Sequence, residues 1–216
     1  MSRICILIFA CLSITSAIKA GEPVVVESPD GTVRFLLYCD KASNLSYDLL
    51  YRNALILESG NLGMEESQLG MLGTGIQVTS IEPYSKDETW RPVYGERSQI
   101  RDHFNGIRVG LQDLKGGKPD LFLEIRAYNE GIAFCYEIPF SGSYRIVKEY
   151  SSFPFIQEAY GWASRQAQGP ISKMKLSSIR EASERPLLVE VGKHTYAALG
   201  EAALVDYARM KFIADK

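Results

Sequence analysis

A hairpin pattern between residues 119 and 139 constrains the fold more than any other feature of the sequence. Residues 121–128 alternate apolar and polar side chains, so that every second residue can face a core. Residues 129–131 (Asn-Glu-Gly) have the chemistry of a tight turn, and residues 132–138 follow as a second strand-like run. An amphipathic helix would instead need apolar residues about 3.6 positions apart. The sequence therefore predicts an antiparallel β-hairpin here.

Short strand-like runs separated by turns recur along the rest of the chain. Such a series, without intervening helices, is typical of an all-β sandwich of antiparallel strands with little helix. Residues 201–210 have helix-forming composition, but an irregular loop is the alternative there. Residues 160–169 are interpreted as a polar, aromatic loop. Further strands are predicted at residues 24–28, 32–39, 44–51, 54–57, 76–81, 107–111, 186–191 and 196–199.

Residues 1–20 have the pattern of a secretory signal peptide. Arg3 supplies a positive charge, residues 4–14 are apolar, and residues 16–20 supply small side chains before a cleavage site. The span is too short and wrongly flanked for a transmembrane helix, so it predicts a periplasmic or secreted protein. The remaining residues, 21–216, are predicted to form one domain.

Charge and cysteine content limit the partners and cross-links that the chain can have. The chain has 24 Lys and Arg against 26 Asp and Glu and no long basic run, which argues against nucleic acid as a partner. Two of the four cysteines lie in the predicted signal peptide, which leaves Cys39 and Cys135. An oxidising compartment permits a Cys39–Cys135 disulfide. Both residues lie in strand-like runs, however, and burial as free apolar side chains is the favoured interpretation.

The stretch from Asp87 to Asn105 carries the most distinctive combination of residues, DETWRPVYGERSQIRDHFN. It has no regular apolar period and is interpreted as a shaped loop or strand edge. It resembles the signature E-T-W-x-P-V-[WY]-G-E-x-S-x-I-R-x-x-[YF]-N in the N-terminal domain of glycoside hydrolase family 97. That family consists of exo-acting α-glucosidases and α-galactosidases of Gram-negative bacteria.

Two later blocks resemble the same family, in the same order along the chain. Residues 126–136 (RAYNEGIAFCY) resemble R-x-[FY]-N-[DE]-G-[VI]-A-[FW]-R-Y, although Cys135 replaces a residue that is more often basic. Residues 186–191 and 196–207 resemble P-L-x-V-E followed by Y-[IV]-[AS]-[IL]-x-E-A-x-L-x-D-Y, with Gly200 where His or Ser is common. Three separated blocks cover most of the chain, so the resemblance is specific.

The resemblance implies both a fold and a larger protein. The N-terminal domain of that family is a β-supersandwich, similar to galactose mutarotase, which packs against a catalytic (β/α)8 barrel. The chain is therefore expected to be this domain, cut near its C-terminal boundary, without catalytic residues of its own. The complete enzyme is expected to hydrolyse terminal α-linked glucose or galactose in oligosaccharides. The alternative is a free-standing periplasmic carbohydrate-binding module without catalysis.

The resemblance also implies one metal ligand. Calcium-dependent members of the family hold Ca²⁺ with several Glu carboxylates, one of which comes from the N-terminal domain, and Glu201 maps to that position. Carboxylate oxygen suits Ca²⁺, but the ion takes about six to eight oxygens. Tight Ca²⁺ binding to this chain alone is therefore not expected. His103 and His194 lack the spacing of a zinc site.

Other polar residues of the signature have a functional and a structural interpretation. Glu88 and Glu96 could form the carboxylate pair of a glycosidase. Hydrogen bonds to loop amides or to Arg101 are favoured instead, because the family's catalytic acids lie in the barrel. Arg101 and Asn105 are expected to hold this stretch in place rather than to touch substrate.

The aromatic residues also have two interpretations. Trp90 and Tyr94 could stack on sugar, but packing at a domain interface is favoured. Tyr160 and Trp162 could contact sugar from an exposed loop, but a role as buried anchors is favoured.

Overall fold

The computed structural model describes residues 22–118, 120–139, 142–205 and 207–215, and the predicted signal peptide lies outside these ranges. Within them the chain forms antiparallel strands and one turn of 3-10 helix, Leu176–Ser178, with no α-helix. The all-β prediction is therefore confirmed. None of the described residues belong to a helix that is long and apolar enough to cross a lipid bilayer.

The strands of the described residues are numbered in chain order. Two of them, β7 and β8, are far longer than the rest and form one hairpin. The bounds are β1 Val24–Glu27, β2 Val33–Cys39, β3 Leu45–Tyr51, β4 Ala54–Asn61, β5 Met64–Glu66, β6 Gly70–Leu72, β7 Ile76–Trp90, β8 Ile100–Asp113, β9 Leu121–Tyr128, β10 Gly131–Glu137, β11 Ile146–Glu149, β12 Tyr160–Ala163, β13 Ser172–Lys175, β14 Leu187–Gly192 and β15 Thr195–Leu199.

Two four-stranded sheets, in the orders β1-β2-β3-β4 and β10-β9-β8-β7, enclose the main core. The first sheet contributes Phe35 and Leu37, and the second contributes Val109, Leu123 and Ile125, all at most 2% exposed. The predicted β9–β10 hairpin forms, and every second residue of β9 is buried. A slip of the strand pairing by one residue would turn the buried apolar residues of β9 toward solvent. Each Å² of apolar area exposed in this way would cost about 25 cal/mol, and this cost fixes the register.

A small third sheet, in the order β11-β5-β6, is held together by the buried carboxylate of Glu66. The carboxylate accepts backbone N–H bonds from Leu69 at 2.8 Å, from Gln68 at 2.7 Å and from Arg145 at 3.0 Å. These bonds favour the charged form and lower the pKa of Glu66 to about 2. Glu66 therefore connects β5 to the turn that follows it and to the residues before β11.

The stability of the fold is expected to depend on the ionisation of Glu66 at acidic pH. The pKa is about 2 in the folded chain against an ordinary value of 4.5. The unfolded state therefore binds more protons between these values, and the stability from Glu66 is complete above pH 4.5 and lost as pH falls toward 2. We expect Glu66→Gln to be less stable than the native chain at pH 7 and to lose less stability on acidification.

Urea denaturation at a series of pH values measures this difference. The proton uptake on unfolding should differ between native chain and Glu66→Gln by up to about one proton near pH 3. Glu65→Gln is the matched control, because Glu65 is on the same strand and accepts a side-chain bond from Tyr150. Equal pH dependence of the native chain and Glu66→Gln would contradict the assignment.

The fourth sheet, in the order β13-β12-β14-β15, has a separate small core. Ala163, Leu187 and Val189 face this core, and Phe212 packs against it. Phe212 also pairs through its backbone with Ser183. The last described residues therefore close the inner face of this sheet.

A strand hairpin, β7–β8, takes the place of the predicted loop at residues 87–90 and 100–105, and because β7 is the edge strand of its sheet, the strand-edge alternative is correct for residues 87–90. β7 continues to Trp90 and β8 begins at Ile100, so only residues 91–99 lie outside the strands. From Glu82 onward nearly every side chain of β7 is exposed, on both faces. Without a core on either side nothing requires apolar alternation, so the strand period is missing from the sequence.

The structure also tests the predictions for residues 160–169 and 201–210. Residues 160–163 form β12, so the loop interpretation is wrong there. The two inward residues of this strand, Gly161 and Ala163, are small and give little apolar signal. The described part of residues 201–210 contains no helix, and the irregular alternative is correct.

The two cysteines outside the predicted signal peptide are both free. Cys39 is half-buried, whereas Cys135 is exposed. The prediction of burial is therefore wrong for Cys135, because β10 turns this residue to the outer face of its sheet, opposite Glu124. The alternative of a Cys39–Cys135 disulfide is also excluded.

Candidate functional site

Ion pairs line the exposed part of the β7–β8 hairpin. Arg101 donates two hydrogen bonds of 2.6 and 2.7 Å to Asp87. Lys86 Nζ lies 3.1 Å from Glu88 and 3.0 Å from Asp102. Arg101 lowers the pKa of Asp87, and Lys86 lowers the pKa of Asp102, because each cation stabilises the charged carboxylate.

The prediction is correct for Arg101 and Asn105, which hold this stretch in place, and wrong for Glu88, which pairs with Lys86 and not with a loop amide or Arg101. Arg101 holds the hairpin, as predicted, but it binds Asp87 rather than Glu88 or Glu96. Glu96 lies in the exposed loop 91–99. Asn105 donates a hydrogen bond of 2.9 Å to the backbone carbonyl of β1, so it ties the hairpin to the neighbouring strand as expected.

At the base of the hairpin, a polar network covers Phe104 on the outer face of the second sheet. The rings of Tyr84 and Tyr128 lie 5.6 and 5.1 Å from the ring of Phe104, and the Arg126 guanidinium lies 4.9 Å from it. Arg126 and Tyr84 both donate hydrogen bonds to Glu124. Burial alone would raise the pKa of Glu124, but these two bonds outweigh it, and the pKa is lowered.

These carboxylates are unsuited to act as the proton donor of a glycosidase. A general acid in that reaction must have a raised pKa, so that it is protonated when the substrate binds. The pKa values of Asp87, Asp102 and Glu124 are all lowered, and each group has a cationic partner. The network therefore fixes the shape of the hairpin and does not supply acid catalysis.

The histidines are not grouped with other metal-binding side chains. His103 Nε2 lies 4.0 Å from Asp87, and His194 lies in the turn between β14 and β15. In the ranges that the structure describes, no three His, Cys, Asp or Glu side chains are placed together to hold a metal ion.

Glu201, the residue that the family resemblance assigns to calcium, has a nearly buried side chain just beyond β15. Its side chain is 9% exposed, and its Oε2 forms an ion pair with Arg185 Nε. Its Oε1 accepts a hydrogen bond of 3.1 Å from the backbone N–H of Met210. Oε2 has no hydrogen-bond partner among the described residues, but it is buried against Arg185, so it can accept only from a group that enters beside this guanidinium.

Glu201 could be one of several ligands of a calcium ion, but the described residues around it do not form a complete calcium site. A carboxylate with free acceptor capacity is a suitable oxygen donor for Ca²⁺. The adjacent Arg185 carries a positive charge, which opposes a cation unless further carboxylates are supplied. The remaining oxygens must therefore come from outside the described residues.

The fourth sheet has aromatic side chains on the face opposite its core. We call Tyr160, Trp162, Leu188 and Tyr196 the outer aromatic face. Tyr160 is 42% exposed and Tyr196 is 54% exposed, whereas Trp162 is half-buried. The prediction of buried anchors is wrong for Tyr160, because Gly161 occupies the inward position beside it. Leu188 and Tyr196 were missed, although alternation in the predicted strands 186–191 and 196–199 places them on one face.

The tip of the β7–β8 hairpin also exposes apolar side chains. Val93 is 99% exposed, and Trp90 and Tyr94 lie beside it in sequence and are exposed as well. A contiguous group of exposed apolar side chains marks a candidate interaction surface. Packing of Trp90 and Tyr94 at a domain interface stays a prediction.

Sequence comparison connects these features to known proteins. The sequence model described as "Glycosyl-hydrolase 97 N-terminal" matches residues 26–216. A retaining alpha-galactosidase of Bacteroides thetaiotaomicron is 26% identical over 145 residues, which are 67% of this chain and 21% of that protein.

Structure comparison gives the same fold. A glycoside hydrolase family 97 enzyme of Pseudoalteromonas sp. strain K8, in complex with panose, matches with a TM-score of 0.81 and 22% identity over 89% of this chain. A beta-arabinopyranosidase matches with a TM-score of 0.71 and 18% identity over 81% of this chain. The match covers only 30% and 31% of those two proteins, so this chain spans about a third of their length.

Proposed function

Because this chain belongs to glycoside hydrolase family 97, as its N-terminal domain, we propose that it is the accessory β-sandwich of a secreted α-glycosidase. The observation that carries the proposal is the match of that domain over residues 26–216, nearly the whole described chain. Full-length relatives contain a catalytic barrel beyond the matched part. The role of this chain is to brace that barrel and to shape one side of the substrate pocket.

The electrostatics of the chain support an accessory role. Asp87 and Asp102 of the hairpin, and Glu124 of the adjoining strand β9, pair with Arg or Lys, which lowers the pKa of each, so these carboxylates hold structure rather than donate protons. The exposed tip at residues 91–99 carries apolar side chains without a core of their own, which suits contact with another domain. Hydrolysis is therefore assigned to the barrel.

The substrate of the complete enzyme is proposed from the relatives. One of them is a retaining alpha-galactosidase, and another was solved with panose and with acarbose. An oligosaccharide with terminal α-linked glucose or galactose is the substrate class that fits these relatives. The predicted signal peptide at residues 1–20 would direct such an enzyme to the periplasm or the medium of a Gram-negative bacterium.

Glu201 is proposed as the ligand that this chain supplies to a calcium ion in the complete enzyme. Its carboxylate keeps acceptor capacity, and its position is fixed by Arg185 and by the backbone of Met210. A calcium ion bound at such a place can stabilise negative charge that develops on a substrate oxygen. Glu201 itself would hold the ion through its carboxylate.

Calcium titration of the complete enzyme tests this assignment. We expect Glu201→Gln to weaken Ca²⁺ binding by about 100-fold, because a charged oxygen ligand becomes a neutral one. Glu184→Gln is the matched control, since Glu184 is also buried and paired with cations, Arg209 and Lys211. Calorimetry measures both. Equal affinity of native enzyme and Glu201→Gln would contradict the calcium role.

Two further observations separate the proposal from the alternative of a free-standing carbohydrate-binding module. The reading frame beyond codon 216 should continue into a (β/α)8 barrel, whereas a stop codon there would exclude the accessory role. The 216-residue chain alone should not hydrolyse p-nitrophenyl α-glucoside. Turnover by the pure chain would contradict the assignment of hydrolysis to the barrel.

A further inference from the structure

We propose that the outer aromatic face of the fourth sheet is a binding site for an α-linked oligosaccharide. The site rests on the geometry of β12–β15, and the α-linked class of the sugar rests on the proposed function. A pyranose ring presents C–H groups on its faces and hydroxyl groups around its edge. A site for it therefore needs aromatic rings for the faces and charged or amide groups for the hydroxyls.

The strand register places the aromatic residues in two adjacent rows. In one row Trp162 lies between Lys173 of β13 and Leu188 of β14. In the other row Glu190 of β14 lies between Tyr160 of β12 and Tyr196 of β15. Residues that are directly opposite in antiparallel strands point to the same face. Both rows therefore lie on the face that the core does not cover.

The rings of Trp162 and Tyr196 contact each other and form one continuous aromatic surface on this face. Their centroids are 6.0 Å apart, and their planes are inclined by 52°. Leu188 lies on the strand between the two that carry these rings, and its neighbour on β15, Ala198, has only a small side chain. Since β12 and β15 are two strand spacings apart, the face extends over about 10 Å. This length accommodates a disaccharide.

Groups that can bind hydroxyls adjoin the rings. Lys173 forms an ion pair with Glu190, and its Nζ lies 4.8 Å from the centroid of Trp162 and 5.5 Å from that of Tyr160. These cation–π contacts hold the two rings in place. The adjoining open groove has a volume of about 490 Å³ and is lined by Gln157, Glu158, Tyr160, Lys173, Glu190 and Gly192.

The charges on this face favour a sugar over a protein partner. The centre of a protein interface is depleted of Lys and Glu, because each buried charge must be desolvated. Here Lys173 and Glu190 stand among the rings, and a second pair, Lys175 and Glu158, stands at the edge. An oligosaccharide leaves such groups partly hydrated and uses them as donors and acceptors. The same ring–charge combination therefore suits a sugar and disfavours a docked domain.

Tryptophan fluorescence tests the site directly, because the chain has two tryptophans, Trp90 and Trp162. In the Trp90→Phe chain, the fluorescence emission of Trp162 is expected to change as maltotriose is added and to reach a plateau when the site is full. In the Trp162→Phe chain, the emission of Trp90 is expected to stay constant. Tyr196→Ala in the Trp90→Phe background should weaken the affinity by about tenfold, since it removes one of the two contacting rings of the aromatic surface.

Two controls, one variant and one sugar, decide between the alternatives. Tyr94→Ala removes another exposed tyrosine, at the hairpin tip, and should leave the affinity unchanged. Cellotriose, which has β-linkages, should bind more weakly than maltotriose. The proposal is overturned if maltotriose produces no saturable change, if Tyr94→Ala rather than Tyr196→Ala lowers the affinity, or if the face instead mediates self-association that Tyr196→Ala abolishes. None of these results would alter the calcium affinity of the complete enzyme, so failure here and failure of the proposed function are distinguishable.

Discussion

Replacing Gly60 with alanine is expected to lower the free energy of unfolding by about 3 kcal/mol, because it overpacks the main core. Gly60 lies on β4 directly opposite Tyr47 of β3. A Cβ atom at Gly60 would lie 2.3, 2.5 and 2.9 Å from three atoms of the Tyr47 ring. Contacts this short require that either the ring or the strand moves.

The Tyr47 ring has no free space into which it could move. It is 2% exposed and stacks on Phe35 with centroids 4.8 Å apart and planes inclined by 12°. Its hydroxyl donates a hydrogen bond of 2.8 Å to the carbonyl of Ser152. Displacement of the ring would therefore break both contacts, and displacement of β4 would break the pairing of β3 with β4.

A double-mutant cycle measured by urea denaturation isolates this contact. In a Tyr47→Leu background the ring is absent, so Gly60→Ala should cost less than about 1 kcal/mol. Gly117→Ala is the matched control, because no heavy atom lies within 4 Å of a Cβ built there. Equal costs of Gly60→Ala in the two backgrounds would show that the Tyr47 ring is not the obstacle.

The sandwich could be predicted from the sequence because one face of each main strand is buried. In β9, Leu123 and Ile125 are fully buried and the residues between them are half-exposed. Burial on one side produces the period of two that identifies a strand. The turn at residues 129–131 adds independent local information, so the hairpin was predicted with correct partners.

The end of the long hairpin could not be predicted in this way. From Glu82 to Trp90 the strand has solvent on both faces, and its stability comes from backbone pairing and from cross-strand pairs such as Arg101 with Asp87. Such pairs leave no apolar period in the sequence. The family signature located this segment, but it contained no information about its strand conformation.

Burial was favoured for Tyr160 and Trp162 of the outer aromatic face because the usual positions of large and small residues are exchanged in β12. Large aromatic residues are expected inside a sheet, yet Tyr160 and Trp162 point outward and Gly161 points inward. A Cβ at Gly161 would lie 2.8 Å from Leu176 and 3.3 Å from Leu187, so the core is already filled from other elements. Only the three-dimensional packing shows this.

Replacing Glu201 with alanine is expected to lower the free energy of unfolding of the chain by about 2 kcal/mol. The family resemblance of residues 196–207 identified Glu201. Its partner Arg185 lies before β14, and the spacing of the two residues in the sequence gives no sign that they form an ion pair. The side chain of Arg185 is 21% exposed, so its charge would lose its partner in a largely buried place. The cost stays below that of a fully buried pair, because water reaches part of the guanidinium.

The double variant Arg185→Ala/Glu201→Ala should be more stable than Glu201→Ala alone, because no uncompensated charge remains. Glu181→Ala is the control, since its pair with Arg165 is exposed and should contribute less than about 0.5 kcal/mol. Urea denaturation measures the stability of all these variants, and a Glu201→Ala chain as stable as the native one would exclude the anchoring role.

If Glu201→Ala has the expected cost, the Glu201 carboxylate is already fixed in the chain alone. A ligand held in place before the ion arrives loses little conformational freedom on binding, so the Arg185–Glu201 pair would serve the fold and position the carboxylate, while further carboxylates of the complete enzyme would have to offset the charge of Arg185.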